Sequence, residues 1–269
     1  MTMFFTEWLQ YAFMRHAFVA ILIITPLFGM LGTMIVERKM AFFSDALGHS
    51  ALTGIAVGVV CGVSDTTVSM LLFAVVFALL LNQLGRKGLA ANDTMISVFS
   101  SCSIAAGLAI LSKGGNFSQY ASLLVGDILS ISWQEIWYLA AIFAVTLVFW
   151  AVCFNSLHAA SIHRTLAKSR RIPVILIENL FAVLTALIVT VSIRWVGILL
   201  INALLILPAA SGRNLARNLR EYHFFSVLFA VFSGVFGLIV SYFINVATGP
   251  VIVIFASIIY FCTYWYGTE

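Results

Sequence analysis

Nine apolar runs, each about as long as a helix that crosses a bilayer, divide this chain of 269 residues. They lie near residues 17–36, 41–62, 66–84, 93–112, 133–153, 173–193, 195–211, 223–245 and 249–266. Charged residues make up 9% of the chain, against about 25% in a soluble domain. The sequence therefore predicts an integral membrane protein.

The runs predict helices rather than the strands of a membrane barrel. Stretches such as LAAIFAVTLVFWAV are apolar on every face, whereas barrel strands alternate apolar and polar residues. Helices also satisfy their own backbone hydrogen bonds in lipid. We expect one all-α polytopic transmembrane domain over residues 1–269, with eight or nine spans. The segment 117–132 is too short and polar to span, and it is a candidate re-entrant segment.

The basic residues predict the orientation of the spans. Eleven of the fourteen Lys and Arg residues lie in connections 37–40, 85–92, 154–172 and 212–222. The positive-inside rule places these connections in the cytoplasm. With nine spans, the N-terminus is then outside and the C-terminus inside. The first run is followed by VERKMAFF rather than by a cleavage site, so we expect a retained helix. The net charge of +4 reflects topology, and nucleic-acid binding is not indicated.

The stretch FSDALGHSAL, residues 43–52, places two ionisable groups in an apolar run. Asp45 and His49 are four residues apart, so they share one face of a helix. Ionisable residues inside a membrane usually face a cavity or a partner and mark a transport path. A carboxylate and an imidazole suit Mn²⁺, Fe²⁺ and Zn²⁺, and two chains on a symmetry axis would supply four ligands. Alternatively, Asp45 complements the helix dipole near the N-terminus and His49 is a core histidine.

Other polar residues in the apolar runs are weaker candidates. Asn202 is isolated within its span and Pro208 interrupts that helix, which makes a kinked, movable gate a possible alternative to simple packing. Glu178 and Asn179 lie early in the sixth span, and we expect them to have a structural or interfacial role. Four widely separated cysteines indicate small buried apolar side chains rather than disulfides.

Motifs for hydrolytic enzymes are absent. No GxxxxGK[ST], GxSxG or HExxH occurs, so the chain has no visible means of hydrolysing ATP itself and is not expected to be an enzyme. The longest basic connection can form a short helix over 156–168. On the residues alone, a solvated loop that sets topology is favoured over a helix that docks a cytoplasmic partner.

Two longer motifs resemble one transporter family. DALGHSALTG (residues 45–54) is similar to DALSHAxLPG of the permeases of manganese, zinc and iron chelate-uptake ABC transporters, with Gly48 for the usual Ser and Thr53 for the usual Pro. VGILLINALLILPAASGR (residues 196–213) resembles their VGxLLVxALLIxPAAxAR. GDILSIS and GLIVSYFINVATGPVIVI also fit, so the resemblance covers nearly the whole chain.

The resemblance implies a type II ABC importer permease in the bacterial plasma membrane. Two permease copies would pair around a metal path at Asp45 and His49, with two ATP-binding subunits beneath and an extracytoplasmic metal-binding protein. The transported ion, Mn²⁺ or Zn²⁺ before Fe²⁺, would be the only metal, with no permanently bound cofactor. The docking helix maps onto 156–168, although Asn155 and Ser156 replace an FDPE-like start. The expected ATPase contacts are Ser156, His158, Ser161, His163 and Leu166.

Two rival functions remain open from the residues. A stand-alone secondary transporter could couple metal to protons through Asp45 and Glu178, although no inverted repeat is clear. An intramembrane enzyme could use the Asp45–His49 pair, but no third ligand or nucleophile stands in register with it.

Overall fold

The computed structural model describes residues 7–63, 65–86, 92–113 and 126–267. Across these ranges the regular structure is helical, and two short 3-10 turns lie at Glu7–Gln10 and Ile128–Ser130. The helices are α1 (Ala12–Glu37), α2 (Ala41–Val60), α3 (Thr66–Gly85), α4 (Asn92–Lys113), α5 (Trp133–Ile162), α6 (Arg164–Ser169), α7 (Val174–Val196), α8 (Ile198–Leu215), α9 (Leu219–Ile244) and α10 (Thr248–Gly267). Within the described ranges, nine of these are long and apolar enough to span, which confirms the upper end of the predicted range.

The predicted docking helix over 156–168 differs from the structure in its boundaries. Residues 156–162 continue α5, the chain becomes extended at His163 (φ −149°, ψ 96°), and α6 then begins at Arg164. Ala160, before the break, and Ala167 and Val174, after it, form one buried apolar cluster. Burial of these small apolar side chains gives a physical reason for two helices where the sequence predicts one.

The chain forms two compact units, of which the first contains α2, α3, α4, α6, the later part of α5 and nearly all of α7. In this unit α2 packs against both α3 and α4. A Cβ at Gly54 would lie 2.9 Å from the Cα of Met70, and one at Gly107 would lie 2.9 Å from the Cα of Thr53. Glycine therefore allows the backbones to approach closely, as is common between membrane helices.

A polar contact links α2 to α4 inside this apolar packing. The Thr53 hydroxyl donates to the Ser103 carbonyl at 2.5 Å, and the Ser103 hydroxyl donates to Thr53 Oγ1 at 2.9 Å. Both side chains are buried. Thr53 stands where the resembled motif has proline, and the structure gives its hydroxyl a partner on another helix.

The second unit contains α8, α9 and α10, which pack on one another, together with α1 as far as Val36. A Cβ at Gly32 of α1 would overlap the Leu205 carbonyl of α8, and one at Gly237 of α9 would lie 2.7 Å from the Cα of Ile252 in α10. Single-domain organisation over 1–269 stays a prediction.

Only the end of the candidate re-entrant segment 117–132 lies within the described residues. Residues 126–132 contain one 3-10 turn, where Asp127 accepts a hydrogen bond from the Leu129 amide at 3.1 Å. Gly126 (φ +69°) and Gly197 (φ +79°) touch backbone to backbone, because a Cβ at Gly126 would lie 2.7 Å from the Cα of Gly197. Glu135 accepts bonds from the Ser132 amide and hydroxyl, so these acidic residues cap local structure.

The prediction that the four cysteines are buried is wrong for three of them. Cys61, Cys102 and Cys262 are exposed in the isolated chain, and Cys153 is half-buried; all four are free thiols. Apolar side chains that meet lipid gain nothing from burial within the protein, which explains the difference.

Candidate metal site on the second helix

Asp45 and His49 face the same way on α2. His49 Nε2 lies 3.4 Å from Asp45 Oδ1. The His49 side chain is 29% exposed and the Asp45 side chain is 42% exposed. The helix around them is otherwise buried, at Ser44, Leu47 and Ser50. The pair therefore occupies a strip of α2 that its own chain leaves partly uncovered.

The alternative roles for these two residues fit the geometry less well. Asp45 is the fifth residue of α2, beyond the first turn, where the field of the helix terminus has largely fallen away. His49 is too exposed to be a core histidine satisfied by packing. A carboxylate and an imidazole held side by side are ligands for a borderline divalent ion.

The pair is incomplete as a metal site within one chain. In the described ranges no group of three or more His, Cys, Asp or Glu side chains could hold a metal ion. A zinc site normally uses at least three protein ligands, and a structural one uses four. Within the described residues, Asp45 and His49 alone therefore fall short of a complete metal site.

Two residues of the predicted ATPase contact face inward. His158 is 4% exposed, its Nδ1 lies 3.0 Å from Glu37 Oε2, and the Ser161 hydroxyl donates to Glu37 Oε1 at 2.7 Å. Burial of His158 also keeps its ring away from solvent. These side chains fasten the end of α5 to the end of α1.

The outer surface of the same segment consists of other residues. His163 and Leu166 are exposed, Ser156 is half-buried, and Ile162 is 76% exposed. Ile162 was not among the predicted contact residues, and its only sequence signal was its place between the polar residues Ser161 and His163. The predicted role of this segment in ATPase contact stays a prediction.

Glu178 and Asn179 belong to a polar network at the start of α7. Arg164 Nη2 donates to Glu178 Oε2 at 2.7 Å. Asn179 Oδ1 accepts from Asn82 Nδ2 at 2.7 Å and from Arg86 Nη2 at 3.0 Å. Glu178 is therefore held in an ion pair with Arg164. No sequence pattern predicts these partners, which lie outside α7.

The proposed gate residues lie on an unbroken helix. The prediction that Pro208 interrupts its span is wrong, because α8 is helical from Ile198 to Leu215. Proline removes one N–H donor from the helix, and the residues on either side of it are still helical. Pro208 is buried and Asn202 is half-buried. A kink and a gating role stay predictions.

A family model decides the wider identity. The model described as the ABC 3 transport family matches residues 10–267. The chain belongs to this family. The resemblance noted from the motifs is thereby confirmed, and so is the all-helical permease fold.

Relatives of the ABC 3 family match along nearly their whole length. The manganese transport system membrane protein MntC of Listeria innocua is 27% identical over 270 residues, covering 99% of this chain and 95% of that protein. The high-affinity zinc uptake system membrane protein ZnuB of Haemophilus influenzae is 28% identical over 231 residues, covering 86% and 88%. The solved structure of PsaBC from Streptococcus pneumoniae in complex with Fab has a TM-score of 0.83 at 27% identity, covering 98% and 95%.

Proposed function

We propose that this chain is the permease subunit of an ATP-driven importer for a divalent transition metal, and that the ion passes Asp45 and His49. Membership of the ABC 3 family and relatives named for manganese and zinc transport support this function. The observation that carries the site is the 3.4 Å pairing of carboxylate and imidazole on an uncovered strip of α2.

A second copy of the chain would complete the metal path. Two Asp45–His49 pairs facing each other would offer four ligands, which is enough to replace much of the ion's hydration. Coordination must stay weak, because an ion that binds too tightly does not leave. Mn²⁺ and Zn²⁺ are the favoured cargoes, in line with the named relatives.

ATP would act from separate subunits, since this sequence has no phosphate-binding loop. We propose that two ATP-binding subunits contact the surface of the α5–α6 break, where Ile162, His163 and Leu166 are exposed. Movement there would rock the spans by alternating access. An extracytoplasmic metal-binding protein would deliver the ion from the other side. In this orientation the N-terminus lies outside and the C-terminus in the cytoplasm of a bacterial cell.

Transport by point variants tests the site. Asp45→Asn and His49→Ala should each lower ATP-dependent uptake of radioactive Mn²⁺ or Zn²⁺ at least roughly tenfold in vesicles that contain the full complex, since each removes a ligand from both copies. Asp65→Asn is a matched control, because Asp65 is an exposed carboxylate that caps α3 and asparagine also caps well. All variants must insert and retain the ATPase. Wild-type uptake by Asp45→Asn and His49→Ala would refute the site.

A proton-coupled secondary transporter is not favoured. The named relatives are membrane proteins of transport systems, and Glu178, the second carboxylate of that mechanism, is held by Arg164. Uptake that collapses with the proton gradient and needs no ATPase would reverse this preference.

A further inference from the structure

A basic cavity lies at one end of the unit that contains α2, α3 and α4. Its volume is about 360 Å³, within the range of about 300–1,000 Å³ typical of ligand sites. Helix ends and connections converge on it, including the α1–α2 turn, the end of α3 and the start of α4. Four basic side chains and two carboxylates contribute to its lining: Arg38, Lys39, Arg86, Arg164, Glu37 and Glu178.

Both carboxylates are already engaged by neighbours. Glu178 accepts from Arg164, and Glu37 binds His158 and Ser161. The lining therefore keeps an excess of positive charge, which disfavours a metal cation and favours an anion.

Several guanidinium nitrogens in this lining lack a hydrogen-bond acceptor. Nε and Nη2 of Arg38 and Nε of Arg164 are buried, and no partner for them lies among the described residues. The Arg38 guanidinium packs over the Phe181 ring, 5.6 Å from its centroid, which orients it without satisfying its donors. Buried charged donors without acceptors are costly, so a ligand that supplies oxygens would stabilise the site.

The lowered pKa of Arg38 indicates that nearby carboxylates do not fully compensate its buried charge. Burial lowers the pKa of the Arg38 guanidinium, the carboxylates of Glu178 and Glu37 offset part of that effect, and the charge of Arg164 adds to it. The cause of this shift is that the buried guanidinium is poorly solvated.

We propose that this cavity binds a phosphate-bearing anion, and that in the membrane this is the headgroup phosphate of an anionic phospholipid. Arginine forks match phosphate oxygens closely, and basic pockets between spans are suited to lipid headgroups. Apolar side chains of Met40, Leu81, Met95 and Ile96 complete the lining beside the charged residues. The positive-inside orientation puts the cavity in the inner leaflet.

Binding to the purified full-length permease tests the proposal. The protein is placed in nanodiscs of phosphatidylcholine with or without phosphatidylglycerol, and in detergent with or without inorganic phosphate. Retained lipid is counted by native mass spectrometry and thermal unfolding is followed by tryptophan fluorescence. We expect wild-type protein to retain phosphatidylglycerol and to unfold at higher temperature with it. Arg38→Gln should bind at least roughly tenfold more weakly, and Arg38→Lys should fall between the two.

Arg170→Gln is the matched control, since Arg170 is exposed in the same unit outside the cavity and loses the same charge. It should behave as wild type. Stabilisation by inorganic phosphate without lipid retention supports the phosphate chemistry and assigns the site to a free anion. Equal lipid retention by wild type and Arg38→Gln, with both variants folded by circular dichroism, overturns the proposal.

The experiment is independent of the transport function. None of the cavity variants changes Asp45 or His49, so a negative result leaves the metal path untested and intact.

Discussion

Replacing Thr53 by valine isolates the polar contact between α2 and α4. The change keeps the shape of the side chain and removes two hydrogen bonds, one to the Ser103 carbonyl and one from the Ser103 hydroxyl. Hydrogen bonds between membrane helices contribute about 0.6 kcal/mol each on average and at most about 1.7. The free energy of unfolding should therefore fall by about 1.2 kcal/mol, with a ceiling near 3.4.

A double-mutant cycle separates this contact from general packing. Ser103→Ala removes one of the two bonds and should cost about 0.6 kcal/mol, whereas in the Thr53→Val background it should cost close to zero. Unfolding by SDS in mixed micelles, followed by circular dichroism, measures all four proteins. Ser50→Ala is the control, because the buried Ser50 hydroxyl bonds to Leu47 within α2 and its loss is offset by the higher helix propensity of alanine.

The outcome can contradict the structure directly. If Thr53→Val is as stable as Ser50→Ala, or if the cycle shows no coupling between Thr53 and Ser103, the two helices do not meet as described. A loss well above the ceiling would mean that the hydroxyl supports more than this one contact.

Three further perturbations follow from other contacts. Gly107→Ala should lower the free energy of unfolding by about 1–3 kcal/mol in the same assay, since its Cβ would lie 2.8–3.0 Å from atoms of Thr53. Arg164→Ala should cost about 1–3 kcal/mol by leaving the buried Glu178 carboxylate without its 2.7 Å partner, and adding Glu178→Gln should restore part of it; no rescue would contradict the ion pair. Glu37→Ala should speed hydrogen exchange at residues 156–162, because the end of α5 loses two of its bonds, and unchanged exchange would contradict that role.

The spans could be predicted from the sequence because lipid demands long apolar runs. The length of the apolar run predicted that α5 ends near residue 153, where polar residues begin, but the helix continues to Ile162. The helix continues because His158 and Ser161 find Glu37, a partner more than a hundred residues away in sequence. Hydropathy reports the solvent around a helix, and it carries no information about such tertiary partners.

The candidate site also contains one contact that the sequence predicts and others that it does not. Helical spacing predicts that Asp45 and His49 lie together, and the structure places them on one strip of α2. Spacing could not predict that Glu178 is held by Arg164, since that pairing depends on the break at His163 and the turn that follows it. The remaining ligands of a metal site lie beyond any single-chain pattern, because the described part of this chain offers no third one.

The meeting of Gly126 with Gly197 joins a loop to the α7–α8 junction through main-chain atoms alone. Such a joint has no group to protonate, oxidise or screen, so it should respond to neither acidity nor ionic strength. This contact also tolerates no substitution of Gly126 by a residue with a Cβ, whereas a charged contact can often accept a different side chain. Any side chain at Gly126 would clash with the backbone of Val196 and Gly197. A cysteine introduced there for labelling would therefore displace the loop instead of reporting its native position.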